Sequence, residues 1–374
     1  MATDPDVFKG LAGVVADTTA VSMVNADTNS LTYRGYPVQQ LAASCSFEQV
    51  AHLIWYGELP TPQQLADFVR TERGQRVVEP EIFEVLSQLP VNCHPMDVLR
   101  TAVSFIGASD PIPGDLSAPA NLTRSLTLMA KLPAIVAFDQ RRRRGERPIP
   151  PDPELGFAAN FLQMCFGLVP APEVVSAFEV SLILYAEHGF NASTFTARVV
   201  TSTGSDLYSA VTAAIGALKG PLHGGANEAV MYMLLEIEEP AAAAQWIHDA
   251  LASKAKIMGF GHRVYKHGDS RVPTMAASLE RVAATLGADK LLALSEAVQA
   301  AMLAEKNIHP NLDFPTGPAY YLMGFDIPMF TPLFVLSRIT GWTAHIIEQQ
   351  GANSLIRPLS KYIGQAERAV PATS

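Results

Sequence analysis

Cysteine is scarce in this chain: three residues in 374, Cys45, Cys93 and Cys165, with no CxxC pair. That number and spacing exclude a disulfide framework and a zinc ribbon, and suit a reducing compartment. Basic residues are in deficit as well, 27 against 36 acidic ones for a net charge of -9. A general nucleic-acid binder would carry a dominant basic face instead. Long apolar runs are missing. The most apolar late stretch, Tyr320 to Ile339, is interrupted by Asp326, Pro328 and Pro332 and makes a poor membrane span. The N-terminus, MATDPDVFKG, has neither the basic nor the apolar region of a signal peptide. The expectation is a soluble cytoplasmic protein.

Common site patterns are lacking too. No GxSxG elbow accompanies the HGG at His223, which argues against a lipase-like hydrolase. There is no HExxH, and His262 and His267 are five apart, the wrong spacing for one helical face, so no metal is expected. GFGHRV is not GxGxxG and follows no strand, and GxxxxGK[ST] does not occur, so nucleotide-binding folds are excluded. Strand signals are nearly absent after Val38; before it, one short hairpin near Asn25 to Tyr36 is expected from the turn residues.

What is present is helical grammar. With 48% hydrophobic and 17% charged residues the chain is ordinary globular material, long enough for two domains or one elaborated one. Ser46 with Gln49, and Thr61 with Gln64 behind Pro62, are capping boxes. Further helical runs are expected at Met96–Ala108, Leu122–Gln140, Glu173–Glu187, Ser205–Leu218, Asn227–Ile237, Pro240–Ser253, Thr274–Glu305, Thr331–Arg338 and Trp342–Gln349. The fold class read from this is all-α. The run Arg141 to Arg144 reads as a solvated helix C-terminus that complements the helix dipole.

One stretch asks for more than packing. From Lys256 to Pro273, KIMGFGHRVYKHGDSRVP sets His262 between glycines and adds Arg263, Lys266, His267 and Arg271, so backbone, imidazole and guanidinium can converge on one anion. GPLHGG, around His223, echoes it just before a helix. Other chemistry-bearing residues also stand at glycine- or proline-punctuated loops or helix ends: His188 in AEHG, Asp313 in PNLDFPTG, Arg338 in LSRITGW, Arg357 in IRP. Singly, each is an ordinary turn former, surface charge or core residue. Jointly, and in this order, they resemble the citrate synthase family over nearly the whole chain. The opening GLAGVVADTT, LTYRGYP, HPMDVLRTAVS and FNASTFTARVV extend the resemblance.

The resemblance implies a two-domain all-α homodimer: a large domain from 1–224 and 325–374, and a small inserted domain from 225–324. It implies condensation of an acyl-CoA with oxaloacetate, here propionyl-CoA and water giving 2-methylcitrate and CoA, with acetyl-CoA also accepted. By resemblance Asp313 is the base, His223 the donor to the enolate oxygen and His262 the group polarising the keto oxygen. His188, Arg271, Arg338 and Arg357 would hold the oxaloacetate carboxylates, Arg357 reaching across from the partner subunit. The backbone of Lys256, Ile257, Met258, Gly259 and Phe260 would meet the CoA adenine. No metal or prosthetic group is implied. Two alternatives stay open: a citrate synthase that prefers acetyl-CoA, and a non-catalytic CoA or carboxylate sensor. The remaining histidines, His52, His94, His248, His267, His309 and His345, are read as structural or surface residues, with His94 in HPMD a possible support for the site.

Overall fold

The expected N-terminal hairpin gains a third strand. In the computed structural model, which describes residues 7–371 apart from 263, 266 and 267, Ser22–Asn25, Ser30–Tyr33 and Tyr36–Pro37 form an antiparallel sheet in sequence order. Arg34 and Gly35 both take positive φ, 49° and 90°, the two-residue turn whose twist matches paired strands. Arginine is a poor marker of that turn, which is why the third strand is not legible in the sequence. Arg263, Lys266 and His267 of the glycine-flanked stretch lie outside the described residues.

Everything else that is regular is helical. Both capping boxes form, with Ser46 and Thr61 each accepting from the backbone three residues on while Gln49 and Gln64 reach back. Two expected boundaries are corrected. Thr274–Glu305 is two helices, Val272–Leu286 and Asp289–Lys306, because Gly287 turns left-handed at φ 66° and caps the first. Conversely, the two final runs are one helix, Phe330–Gly351. Gly341 does not break it: a Cβ there would overlap Glu187 Oε2 and the Ala186 carbonyl, so this glycine is a notch that lets another segment approach.

Phe330–Gly351 is the axis of the molecule. Every residue from Phe330 to Ile346 is buried, and helices Phe47–Tyr56, Ala118–Arg143, Pro172–Tyr185, Ala192–Ser202 and Leu207–Leu218 pack around it, as expected for a helix apolar on all sides. Helices Ala226–Ile237, Ala243–Ala252, Val272–Leu286, Asp289–Lys306 and Asp313–Leu322 pack largely on one another, with Val272–Leu286 also lying against Pro172–Tyr185. The arginine run is not simply solvated. Arg142 and Arg143 pair with Asp139 at 3.1 and 2.7 Å, and Arg144 binds Asp326 and the Gly324 carbonyl, so these cations fasten the end of Ala118–Arg143 to neighbouring loops. After Gly351 the chain to residue 371 has no helix or strand and leaves Leu355, Leu359, Tyr362 and Ile363 exposed. Among the described residues no helix is long and apolar enough to cross a membrane.

Candidate active site

Asp313 opens the helix Asp313–Leu322 and is the N-terminal group of a small chain of contacts. Tyr185, at the end of Pro172–Tyr185, donates to its Oδ1 at 2.6 Å. Burial raises the Asp313 carboxyl to about 6, against the opposing pull of that hydrogen bond and of Arg271. The Tyr185 ring lies 4.2 Å from that of Phe334, and Phe334 in turn is 6.3 Å from the His223 ring. Arg338, one turn beyond Phe334, lies over the same ring at 4.6 Å and donates through Nε to the Tyr185 carbonyl at 2.6 Å. Its other guanidinium nitrogens bond to nothing among the described residues. Burial lowers Arg338 to about 10, with Glu187 resisting, so it remains a buried cation at neutral pH.

The histidine protonation states follow from their partners. His223 Nε2 accepts from the backbone N–H of Ser193 at 3.2 Å and lies 2.8 Å from Ser193 Oγ. A backbone nitrogen only donates, so the His223 proton sits on Nδ1, which has no partner among the described residues. Ser193 stands in the first turn of Ala192–Ser202, capped by Asn191, whose positive end disfavours an imidazolium. Burial, and Arg338 nearby, lower His223 to about 4. His262 is wired in the opposite sense: its Nδ1 accepts from the Val264 and Tyr265 N–H groups at 3.0 and 3.2 Å, leaving the proton on Nε2. Burial and then Arg271 lower it to about 4 as well. His188 packs edge-on to His262, centroids 5.0 Å apart. It is buried with Nε2 unpartnered, and burial and Arg271 keep it neutral, well below the ordinary histidine range.

Arg271, at the start of Val272–Leu286, pairs with Asp269 through Nε at 2.9 Å and Nη2 at 2.6 Å. The ion pair holds Asp269 below the usual carboxylate range despite burial. Asp269 Oδ2 also accepts from Leu312 N at 3.2 Å, which ties the glycine-flanked stretch to the residue before Asp313. The same two segments are zipped further up, where Asn311 N donates to the Gly259 carbonyl at 2.9 Å and Gly261 N to that of His309 at 2.8 Å. Gly259 has φ 85°, and a Cβ on it would overlap Val230 and come within 3.2 Å of Phe314, so only glycine lets this loop settle on the helices that follow His223 and Asp313.

The sequence profile for "Citrate synthase, C-terminal domain" matches residues 10–359. The chain belongs to the citrate synthase family. A protein of Mycobacterium tuberculosis named 2-methylcitrate synthase is 64% identical over 369 residues, covering 99% of this chain and 93% of its own. One of Mycolicibacterium smegmatis named citrate synthase is 63% identical, covering 98% and 97%. Among solved structures, citrate synthase of Thermoplasma acidophilum, in ternary complex with carboxymethyl coenzyme A and oxaloacetate, aligns with TM-score 0.93 at 33% identity over 98% of this chain and 99% of that one.

Within this citrate synthase fold, the contacts above link His188, His223, His262, Arg271, Asp313 and Arg338. Lys256 to Phe260 form the adjoining loop, with a turn at Met258 and Gly259. Arg357 is different: it is exposed on the C-terminal tail and joins none of these contacts within its own chain. Sequence reading missed the supports: Tyr185, Ser193, Phe334 and Asp269. Of these only Asp269 leaves a signal, an acid two residues before an arginine in a glycine loop. The default structural reading of His94 holds in part: it caps Pro95–Ala108 through Nδ1, and its Nε2 is 3.6 Å from Glu228. Two surface grooves, of about 480 Å³ near Ala42, Cys45 and Glu179 and about 450 Å³ near Arg100, Phe105 and Thr212, contain none of the site residues.

Proposed function

We propose that this chain condenses propionyl-CoA with oxaloacetate and water to 2-methylcitrate and CoA, and also turns acetyl-CoA into citrate. The observation that carries the reading is one carboxylate of raised pKa linked through Tyr185 and Phe334 to a neutral His223 whose Nδ1 proton is uncommitted, with His262 offering an Nε2 proton nearby. Asp313 takes a proton from the carbon next to the thioester, and His223 Nδ1–H donates to the enolate oxygen as it forms. The enolate carbon attacks the keto carbon of oxaloacetate, whose oxygen accepts a hydrogen bond from His262 Nε2–H as it becomes an alkoxide and takes a proton of the attacking water to become the tertiary hydroxyl. Water then cleaves the thioester and releases the CoA thiol. Arg338, the unpartnered His188 Nε2 and Arg271, whose Nη1 is engaged among the described residues only by a long 3.4 Å contact to the Leu184 carbonyl, hold the dicarboxylate. All these groups belong to side chains; the reading assigns no prosthetic group.

In this reading the molecule is a cytoplasmic homodimer and Arg357 completes the partner's oxaloacetate site. The tail's exposure supports this, since Leu355, Leu359, Tyr362 and Ile363 are apolar side chains left exposed on it. Residues 225–324 act as a small domain that closes over the substrates, and the backbone of Lys256–Phe260 receives the adenine.

Acid should stop the reaction at one group. Because Asp313 must be ionised and titrates at about 6, kcat/KM should fall tenfold per pH unit below about 6, while His223 and His262, at about 4, stay neutral throughout. A flat profile down to pH 5 would remove Asp313 from the role of base.

The name citrate synthase on the M. smegmatis relative favours a second reading, the same chemistry with acetyl-CoA preferred. One methylene in an apolar pocket is worth about 1–3 kcal/mol, or roughly 10- to 200-fold. The test is kcat/KM for the two acyl-CoAs at saturating oxaloacetate, with thiol release as the signal. We expect propionyl-CoA to be favoured by about tenfold or more. Equal or better use of acetyl-CoA would transfer the assignment to citrate synthase, and no thiol release with either would leave a non-catalytic binder.

A further inference from the structure

Arg338, Gly341, Trp342 and His345 are spaced i, i+3, i+4 and i+7 along Phe330–Gly351 and so share one face. That face lies against residues 185–193: Arg338 bonds to the Tyr185 carbonyl, Gly341 receives Glu187, Trp342 donates to Ser193 Oγ at 3.0 Å, and His345 Nε2 is 2.9 Å from Glu187 Oε1. The proposed chemistry uses Arg338 directly and Trp342 through Ser193. It leaves unexplained a fully buried histidine–carboxylate pair.

Arg198 Nη1 lies 3.2 Å from His345 Nδ1. Arginine has only donors, so Nδ1 accepts and the His345 proton sits on Nε2, aimed at Glu187. Glu187 Oε1 also accepts from Gly189 N at 2.5 Å and Ser22 Oγ at 2.9 Å. Three donors therefore grip one oxygen. The other, Oε2, is buried with no partner, against Gly341. Arg338, a buried cation one turn away along the same helix, has open guanidinium nitrogens, yet no ion pair joins it to Glu187 among the described residues. A buried carboxylate and guanidinium this near would pair if either were free to turn.

We propose that His345 is a positioning residue: it clamps Glu187 off Arg338, so that the guanidinium stays open for a substrate carboxylate. This rests on the oxaloacetate site proposed above. Without the clamp, Glu187 turns onto Arg338 and competes with the substrate. Arg198 holds the far side of the ring and is itself anchored to Glu348 at 2.8 Å and Asp17 at 3.1 Å.

The experiment is calorimetric binding of oxaloacetate to the intact protein, with circular dichroism and melting to establish folding. His345→Leu should weaken binding by about 10- to 100-fold, and in turnover should raise the KM for oxaloacetate far more than it lowers kcat. Adding Glu187→Gln to that variant should restore affinity to within about threefold of wild type, because a neutral amide competes poorly for a guanidinium; lost packing alone would give no such rescue. Glu187→Gln by itself should bind within a few-fold of wild type, and serves if His345→Leu does not fold. Unchanged binding in folded His345→Leu, absence of rescue in the folded double variant, or a tenfold loss in Glu187→Gln overturns the clamp alone. Failure of the wild type to bind oxaloacetate overturns the site reading and the clamp with it.

Discussion

Asp313→Asn should lower kcat by about 10³-fold, the usual worth of a positioned general base, while KM for both substrates stays within a few-fold. The same substitution should raise the melting temperature. The carboxyl ionises at about 6 in the folded chain against an ordinary 3.8, so folding favours its protonated form. The stability this contributes is complete below pH 3.8 and is lost as pH rises through about 6. At pH 7 to 8 the folded protein therefore holds a carboxylate that would be more comfortable in water, at a cost of up to about 3 kcal/mol. Asparagine removes the charge and still accepts from Tyr185. Paired thermal melts and initial rates test both halves: a kcat within tenfold of wild type would dismiss Asp313 as base, and a lower melting temperature at pH 8 would refute the burial argument. Near pH 4 the two proteins should melt nearly together.

His223→Ala should cost about 10²- to 10³-fold in kcat, the range for losing one preorganised donor to a developing oxyanion. The oxaloacetate affinity should barely move, because the proposed reading assigns that ligand to His188, Arg271 and Arg338. Ser193→Ala is the informative companion. It deletes the hydroxyl 2.8 Å from His223 Nε2 but keeps the backbone N–H that fixes the tautomer, so activity should stay within about tenfold of wild type. Stopped-flow thiol release with each variant separates the two effects. If Ser193→Ala were as damaging as His223→Ala, the hydroxyl and not the backbone would set the protonation of the ring.

Much of this site could be read from residue types alone. Histidines between glycines, an aspartate before Phe-Pro and arginines at helix ends are out of place in a packed core, and their joint order carried the family. Helix starts were equally local matters, as Ser46 with Gln49 and Thr61 with Gln64 show. The break expected between Arg338 and Trp342 does not form, and Gly341 there is the seat of Glu187 within one continuous helix. Tyr185, Ser193 and Phe334 were missed because their roles exist only across long separations. Tyr185 meets a carboxylate 128 residues away, and Trp342 reaches a serine 149 residues away.

The sequence by itself determined the helical class and the family and offered the candidate reactive groups, because these depend on local pattern and on which functional groups are present at all. Tertiary structure alone decided their chemical state. Which nitrogen of His223 and of His262 carries the proton depends on the backbone N–H groups brought against them. Asp313 is tuned toward neutral pH because packing strips it of water, and Arg338 stays open because Glu187 is gripped by donors from distant parts of the chain. Those are effects of desolvation and long-range hydrogen bonding, and neither exists until the chain has closed on itself.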